Sequence, residues 1–187
     1  MLRYIYLILL INYFNCSGQS PHKDYSDKSP NVNDNNIFRS TENQYRIKIP
    51  ENWSVNKGTS LGAEFNAKSE LEDASLNIIV ANLKTPPTFT AHDVPVETLM
   101  QTITKNNPTS KLIESEKQYL SNEKALYIKY RFNYKTLDTD TDIICIQYSV
   151  IKKTKIYTVT LQAQELTYSS YINIFRETLK SFLFEDF

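Results

Sequence analysis

The chain has 187 residues, 41% hydrophobic and 22% charged, with 21 basic against 21 acidic side chains. That length suits one domain plus an address segment, and the balanced charge lacks the electrostatic footprint of a nucleic-acid binder. Only Gly18, Gly58 and Gly62 are glycines, which excludes a P-loop or dinucleotide-binding loop, where several glycines let backbone N–H groups approach phosphate.

Met1-Leu2-Arg3 makes a basic start, Tyr4 to Ile11 is an apolar run, Asn12 ends it and Cys16 follows. A spanning helix needs about twenty apolar residues, so residues 1–15 read as an export signal and not as a permanent span. Tyr13-Phe14-Asn15-Cys16-Ser17-Gly18 resembles a bacterial lipoprotein signal, with Tyr13 and Asn15 standing where leucine and a small residue are usual. The resemblance implies cleavage before Cys16 and a lipid on its thiol, hence palmitate and diacylglycerol as a membrane anchor. An ordinary secretory signal cleaved near Gly18 is the alternative. Residues 16–40 follow as a tether. Between Ser17 and Asn36 only Tyr25 and Val32 are appreciably apolar, too little to offset the entropy of ordering the segment. The address is therefore the cell envelope, on a bacterial membrane, facing the periplasm or outward.

Residues 41–187 carry the periodicity of a fold. Tyr45, Ile47 and Ile49 alternate with Arg46 and Lys48, a half-buried strand closed by Pro50, with Trp53 and Val55 after a turn. Residues 61–67 form a weaker strand. Leu76 to Leu83 is apolar on both faces apart from its asparagines, which suits a central strand. Asp93 is positioned to cap a helix with Pro95 in its first turn. Val96, Leu99, Met100 and Ile103 then make one stripe, and Asn106-Asn107-Pro108 stops it. Strands follow over 111–120, Leu126 to Tyr134, Ile144 to Val150 and Tyr157 to Leu161. A last helix over about 166–182 places Tyr168, Tyr171, Ile172, Phe175, Leu179 and Phe182 on one face. Tandem strands with few helices predict an α+β domain, an antiparallel sheet of about six or seven strands under two or three helices.

Tyr45-Arg46-Ile47-Lys48-Ile49-Pro50-Glu51-Asn52-Trp53 resembles the opening of the PsbP-like superfamily, which includes lipoproteins of the DcrB type. The close, Leu179-Lys180-Ser181-Phe182, is similar to that superfamily's terminal helix. The resemblance implies an α/β/α sandwich that acts by binding other proteins. It brings no catalytic residues, and it makes Trp53 and Phe182 fold residues.

The residues themselves offer little chemistry. His92 is the one histidine outside the tether and Cys145 the one cysteine beyond Cys16. Zinc binding or a triad would need these two and carboxylates to converge without local spacing. Cys145, in Ile143-Ile144-Cys145-Ile146, reads as a small buried hydrophobe. Asp138-Thr139-Asp140-Thr141-Asp142 starts like a calcium loop, but Ile143 and Ser149 occupy the glycine and bidentate-glutamate positions, so it reads as a solvated hairpin tip. The sequence nominates no catalytic, cofactor or metal residue, and no enzyme. Its expected function is a protein-interaction module held at a membrane by Cys16. The competing readings are a carrier of a small apolar ligand, which requires a pocket of several hundred Å3, and a hydrolase, which requires clustered titratable groups.

Overall fold

The computed structural model describes residues 32–33, 35–56, 63–84, 86 and 88–185. The export signal, Cys16, most of the tether span and Leu61 lie outside the described residues.

The alternation at Tyr45 and Ile47 does what it predicts. Both side chains are buried while Lys48 faces out, and the strand β2 is Tyr45–Lys48. It is the centre of a small antiparallel sheet between β1, Ile37–Ser40, and β10, Leu183–Phe184. Neither partner strand is evident from the sequence. β1 corrects the tether boundary: residues 37–40 belong to the fold, and Phe38 is buried with its ring 4.5 Å from that of Phe65.

The large sheet has seven antiparallel strands: β3 (Ser54–Asn56), β4 (Ala63–Lys68), β5 (Ala74–Asn82), β6 (Lys111–Leu120), β7 (Glu123–Lys135), β8 (Asp140–Lys152) and β9 (Lys155–Gln164). Their order is β3-β4-β5-β9-β8-β7-β6. After β5 the chain crosses to the far edge and returns as a four-strand meander that ends beside β5. The crossover carries α1, Val96–Asn106, onto one face of the sheet, where Leu99 and Ile103 pack on Leu126, Ile128 and Phe132. The cap differs from expectation. Pro95 precedes the first helical residue, while the Asp93 carboxylate accepts from the Thr90 backbone N–H and hydroxyl, each at 2.8 Å, and closes a separate 3-10 turn, Ala91–Asp93.

The opposite face is covered by the small sheet and by α2, Tyr168–Ser181. Phe175 and Phe182 are buried there among Leu76, Ile78, Val159 and Leu161. Ile172 stands off the stripe and is exposed, because the helix tilts its Tyr171 and Phe175 flank toward Trp53. The result is the expected α+β architecture, with the three-stranded sheet sharing a layer with a helix.

With so few glycines, the left-handed turn positions fall to other residues: Asn36, Gln44, Asn52, Glu72, Ser121, Asn122 and Lys153 all have positive φ. Ser121 and Asn122 form the two-residue turn of the β6–β7 hairpin, whose paired positive φ values match the strand twist.

Because Phe38 is a core residue, a chain that begins at residue 41 should be markedly weaker than one that begins at residue 32. Loss of a buried phenylalanine costs about 3–5 kcal/mol, which for a domain of this size lowers the melting midpoint by roughly 10 °C. Equal thermal melts for the two chains would show that β1 contributes nothing to the core.

Candidate functional site

The sequence singles out His92 and Cys145, and the structure keeps them apart. His92 ends up against the edge strand: its Nε2 lies 2.9 Å from the Gln118 carbonyl oxygen, so that nitrogen carries the proton, and its ring meets Tyr119 edge-on. Cys145 is buried on β8, its Sγ 3.5 Å from Gln162 Oε1. From Gln118 the register runs through Ala125 to Val150, and Cys145 lies a further five residues along β8, a separation on the order of 20 Å at strand spacings. The aspartates after Leu137 form the base and tip of the β7–β8 hairpin. Asp140 pairs with Lys135 at 3.0 Å and accepts from Asn133 Nδ2 at 2.8 Å, and these two partners hold its carboxyl below the ordinary value. Among the described residues no three His, Cys, Asp or Glu side chains gather in an arrangement that could hold a metal ion.

The polar side chains that do converge are tyrosines and glutamates, on the face of β6, β7 and β8 beside α2. The strand register brings Glu114 to Lys129, Glu116 to Tyr127 and Tyr127 to Tyr148. A bulge between Leu112 and Glu114 sets this alternation, so Glu114, Glu116 and Gln118 share one face. Tyr127 Oη donates to Glu114 Oε2 at 3.3 Å, Tyr148 Oη to Gln118 Oε1 at 2.7 Å and Gln118 Nε2 to Glu116 Oε2 at 2.6 Å. The two tyrosine rings are 5.2 Å apart, and Lys129 Nζ lies 4.7 Å over the Tyr168 ring. Burial, reinforced by the Glu114 charge, pushes the Tyr127 phenol up; burial followed by Glu116 and Glu114 does the same for Tyr148. Both phenols are donors at neutral pH. Each phenol spends its proton on a neighbouring side chain, so the network presents two paired tyrosine rings beside exposed carboxylates.

A second cluster lies sealed between the sheets. The bulge between Ala63 and Phe65 turns Glu64 toward the small sheet, where its carboxylate accepts from the Ser40 hydroxyl. The Tyr45 hydroxyl is buried next to it, off hydrogen-bond alignment, and burial together with the Glu64 charge drives that phenol far above its ordinary value. Tyr45 is fully buried, so this group is closed to a substrate. The void beneath α1, walled by Leu99, Leu126, Ile151 and Ile156, measures about 20 Å3. That is room for about one water, far from the several hundred Å3 of a ligand pocket.

Sequence reasoning missed both clusters because their carboxylates and tyrosines are far apart in the chain. The alternation of 111–120 with Leu126 to Tyr134 contains the pairing, but the bulge that sets its phase leaves no mark in composition.

Comparison with known proteins bears on the fold as a whole. The PsbP family model matches residues 33–184. No curated protein matches the sequence. Among solved structures, cyanobacterial PsbP (CyanoP) from Synechocystis sp. PCC 6803 is similar with a TM-score of 0.60 at 19% identity, over 84% of this chain and 98% of that one. LpqN, involved in cell envelope biogenesis of Mycobacterium tuberculosis, gives a TM-score of 0.53 at 10% identity, over 84% and 90% of the chains. The Saccharomyces cerevisiae Ran-binding protein Mog1p gives 0.54 at 7% identity, over 84% and 97%.

Two titrations check the electrostatics. Tyr45, Tyr127, Tyr148, Tyr157 and Tyr171 all have raised values, each first through burial. Their contribution to stability is complete below the free phenol value of about 10 and is lost as pH rises above it. Ultraviolet titration should show these five ionising later than free phenols, with Tyr45 and Tyr127 the latest; ionisation of all tyrosines at the free value would contradict the burial. On the acid side, burial alone would raise the Asp73 carboxyl, but hydrogen bonds from Tyr171, Thr167 and Ser69 outweigh it and hold it below its ordinary value. The lowered value stabilises the fold above the unfolded carboxyl range near 4 and stops doing so as pH falls through it. Tyr171→Phe should therefore melt lower than wild type at pH 6, and the gap should narrow at pH 3.

Proposed function

Because the chain belongs to the PsbP family, we propose that it is a bacterial lipoprotein, anchored in the cell envelope through Cys16, whose domain is a non-enzymatic protein-interaction module. The observation that carries this reading is a contrast at the surface. The polar groups that chemistry would use are tied to one another, as Glu114 is to Tyr127, Asp140 to Lys135 and His92 to the β6 backbone. Large aliphatic side chains, Leu71, Leu137 and Leu166 foremost, are left exposed. Exposed apolar groups of that size suit contact with another macromolecule. The envelope role attributed to LpqN and the Ran binding named for Mog1p accord with the reading. No helix among the described residues is long and apolar enough to cross a membrane.

Cys16→Ser should move the protein out of the membrane fraction or block its processing; unchanged fractionation and migration would refute the anchor. The double substitution His92→Ala with Cys145→Ala, if folded, should leave partner recovery from the envelope and any cellular phenotype intact. Complete loss of function in the folded double variant would put an enzyme first.

A further inference from the structure

We propose that the end of the large sheet formed by the β4–β5, β9–α2 and β7–β8 connections is a docking surface for a protein whose own face is apolar and bordered by lysine or arginine. The inference rests on the interaction-module reading and gives it a place and a partner chemistry.

The antiparallel register sets the three connections side by side. Gln164 N–H donates to the Asp73 carbonyl at 2.9 Å, and Glu165 N–H to the Asp142 carbonyl at 2.8 Å, so the turns after β4 and β9 and the base of the β7–β8 hairpin meet at one end. Each connection carries one leucine held out of the fold: Leu71 is 80% exposed, Leu166 91% and Leu137 103%. Turns favour Gly, Asn, Asp and Ser for the backbone geometries these residues allow. A leucine in all three runs against that preference and contributes nothing to the core. Measured across the strands, the β4–β5 turn and the β7–β8 hairpin are three strand spacings apart, about 15 Å.

The end is stepped. β9 pairs with β8 only from Gln164 and Ile143 onward, and β6 meets β7 only from Lys111 and Arg131 onward. Residues 133–142 therefore stand beyond the sheet as a two-stranded arm with Leu137 at its tip. Both levels are braced. Asp73 accepts from Ser69 Oγ at 2.9 Å and from Tyr171 Oη at 2.5 Å, tying the β4–β5 turn to α2. At the arm, Asn133 N–H donates to Thr109 Oγ1 at 2.9 Å. A surface held in shape before contact loses less freedom on binding.

Charge selects the occupant. Residues 68–73, 135–142 and 165–167 hold seven carboxylates against two lysines, with Arg131 beside Glu165 at 3.4 Å as a third cation, in a chain whose totals balance at 21 each. Such an end is repelled by anionic lipid headgroups, and two copies meeting through it would place like charges face to face. A cationic border around an apolar face complements it.

The test uses the full chain in its own cells, with a photo-crosslinking residue at Thr139 beside the arm tip, at Glu116 on β6, or at Lys153 at the opposite end. The proposal expects a discrete protein adduct from position 139 and none from 153. It also expects the yield to fall at least ten-fold in the folded variant Leu71→Ser, Leu137→Ser, Leu166→Ser, and to be competed by an amphipathic Leu/Lys peptide but not by its Leu/Glu counterpart. Adducts only with lipid, or with a second copy of this chain, overturn it, as does a yield indifferent to the leucines or to peptide charge. A protein captured from position 116 alone sinks the docking end while the module reading survives; no protein from any position sinks both.

Discussion

The small sheet is held to the large one by the seating of Tyr45 between them. Its ring stacks on Phe182 at 5.3 Å, meets Tyr157 edge-on at 6.2 Å and lies tilted to Phe38 at 5.9 Å. Those four residues come from β2, the segment after α2, β9 and β1. A three-stranded sheet with strands of two to four residues cannot stand alone, because short strands bury too little. Clamped through Tyr45 to the seven-stranded sheet, it closes one face of the core and fixes where α2 leaves off. Burying a tyrosine hydroxyl without an aligned partner costs on the order of 1–3 kcal/mol. Aromatic burial from several sides is large enough to exceed that.

The same contact explains which parts of the fold could be read in advance. Tyr45, Ile47 and Ile49 alternate so cleanly that β2 is plain from sequence, as are α1 from its four-residue stripe and the meander from Leu126 to Leu161. Their burial is set by their own periodicity. β1 and β10 carry no such signal: Ile37-Phe38-Arg39-Ser40 offers one inward aromatic, and Leu183-Phe184 is two residues long. Both are strands because β2 is already in place to pair with them. Their identity is a property of the partner, which a window on the chain does not contain. The polar clusters escape sequence reading for a like reason, since each unites residues brought together by register and re-aimed by a bulge.

Scarce glycine has a structural consequence. Seven described non-glycine residues occupy left-handed backbone positions, at the cost that attends a Cβ there. Three of them, Asn36, Asn52 and Asn122, are asparagine, whose short polar side chain tolerates the region best. Rigid side-chain bonds then take over the role of permissive backbone. Ser121 Oγ accepts from Phe184 N–H at 2.9 Å, and Asn43 Oδ1 accepts from Lys155 Nζ at 2.6 Å, so the turns are fastened to neighbouring strands.

Where such a domain can present a functional surface follows from what its sheet has already committed. One face of the large sheet is taken by α2 and the small sheet. The other is taken by α1 over β7 and β8, and toward β5 by a row of polar side chains in register, Gln147 beside Thr160 and Thr160 beside Asn77, with Asn77 bonded to Asn66. The edge at β6 carries exposed Leu112, Ile113 and Tyr119, but Lys111, Glu114, Glu116 and Lys117 stand among them and a bulge breaks the strand, features that discourage strand addition. The opposite edge, β3, is three residues long. With the centre of both faces covered and the edges blunted, the ends of the strands join the β6 side as surfaces whose residues the core does not dictate. There a side chain can change without disturbing Tyr45 or the meander, and there aliphatic groups stand in the solvent on braced turns. A fold that spends its sheet on stability in this way leaves recognition to its connections, and their sequence, more than that of the core, is what distinguishes one such domain from another.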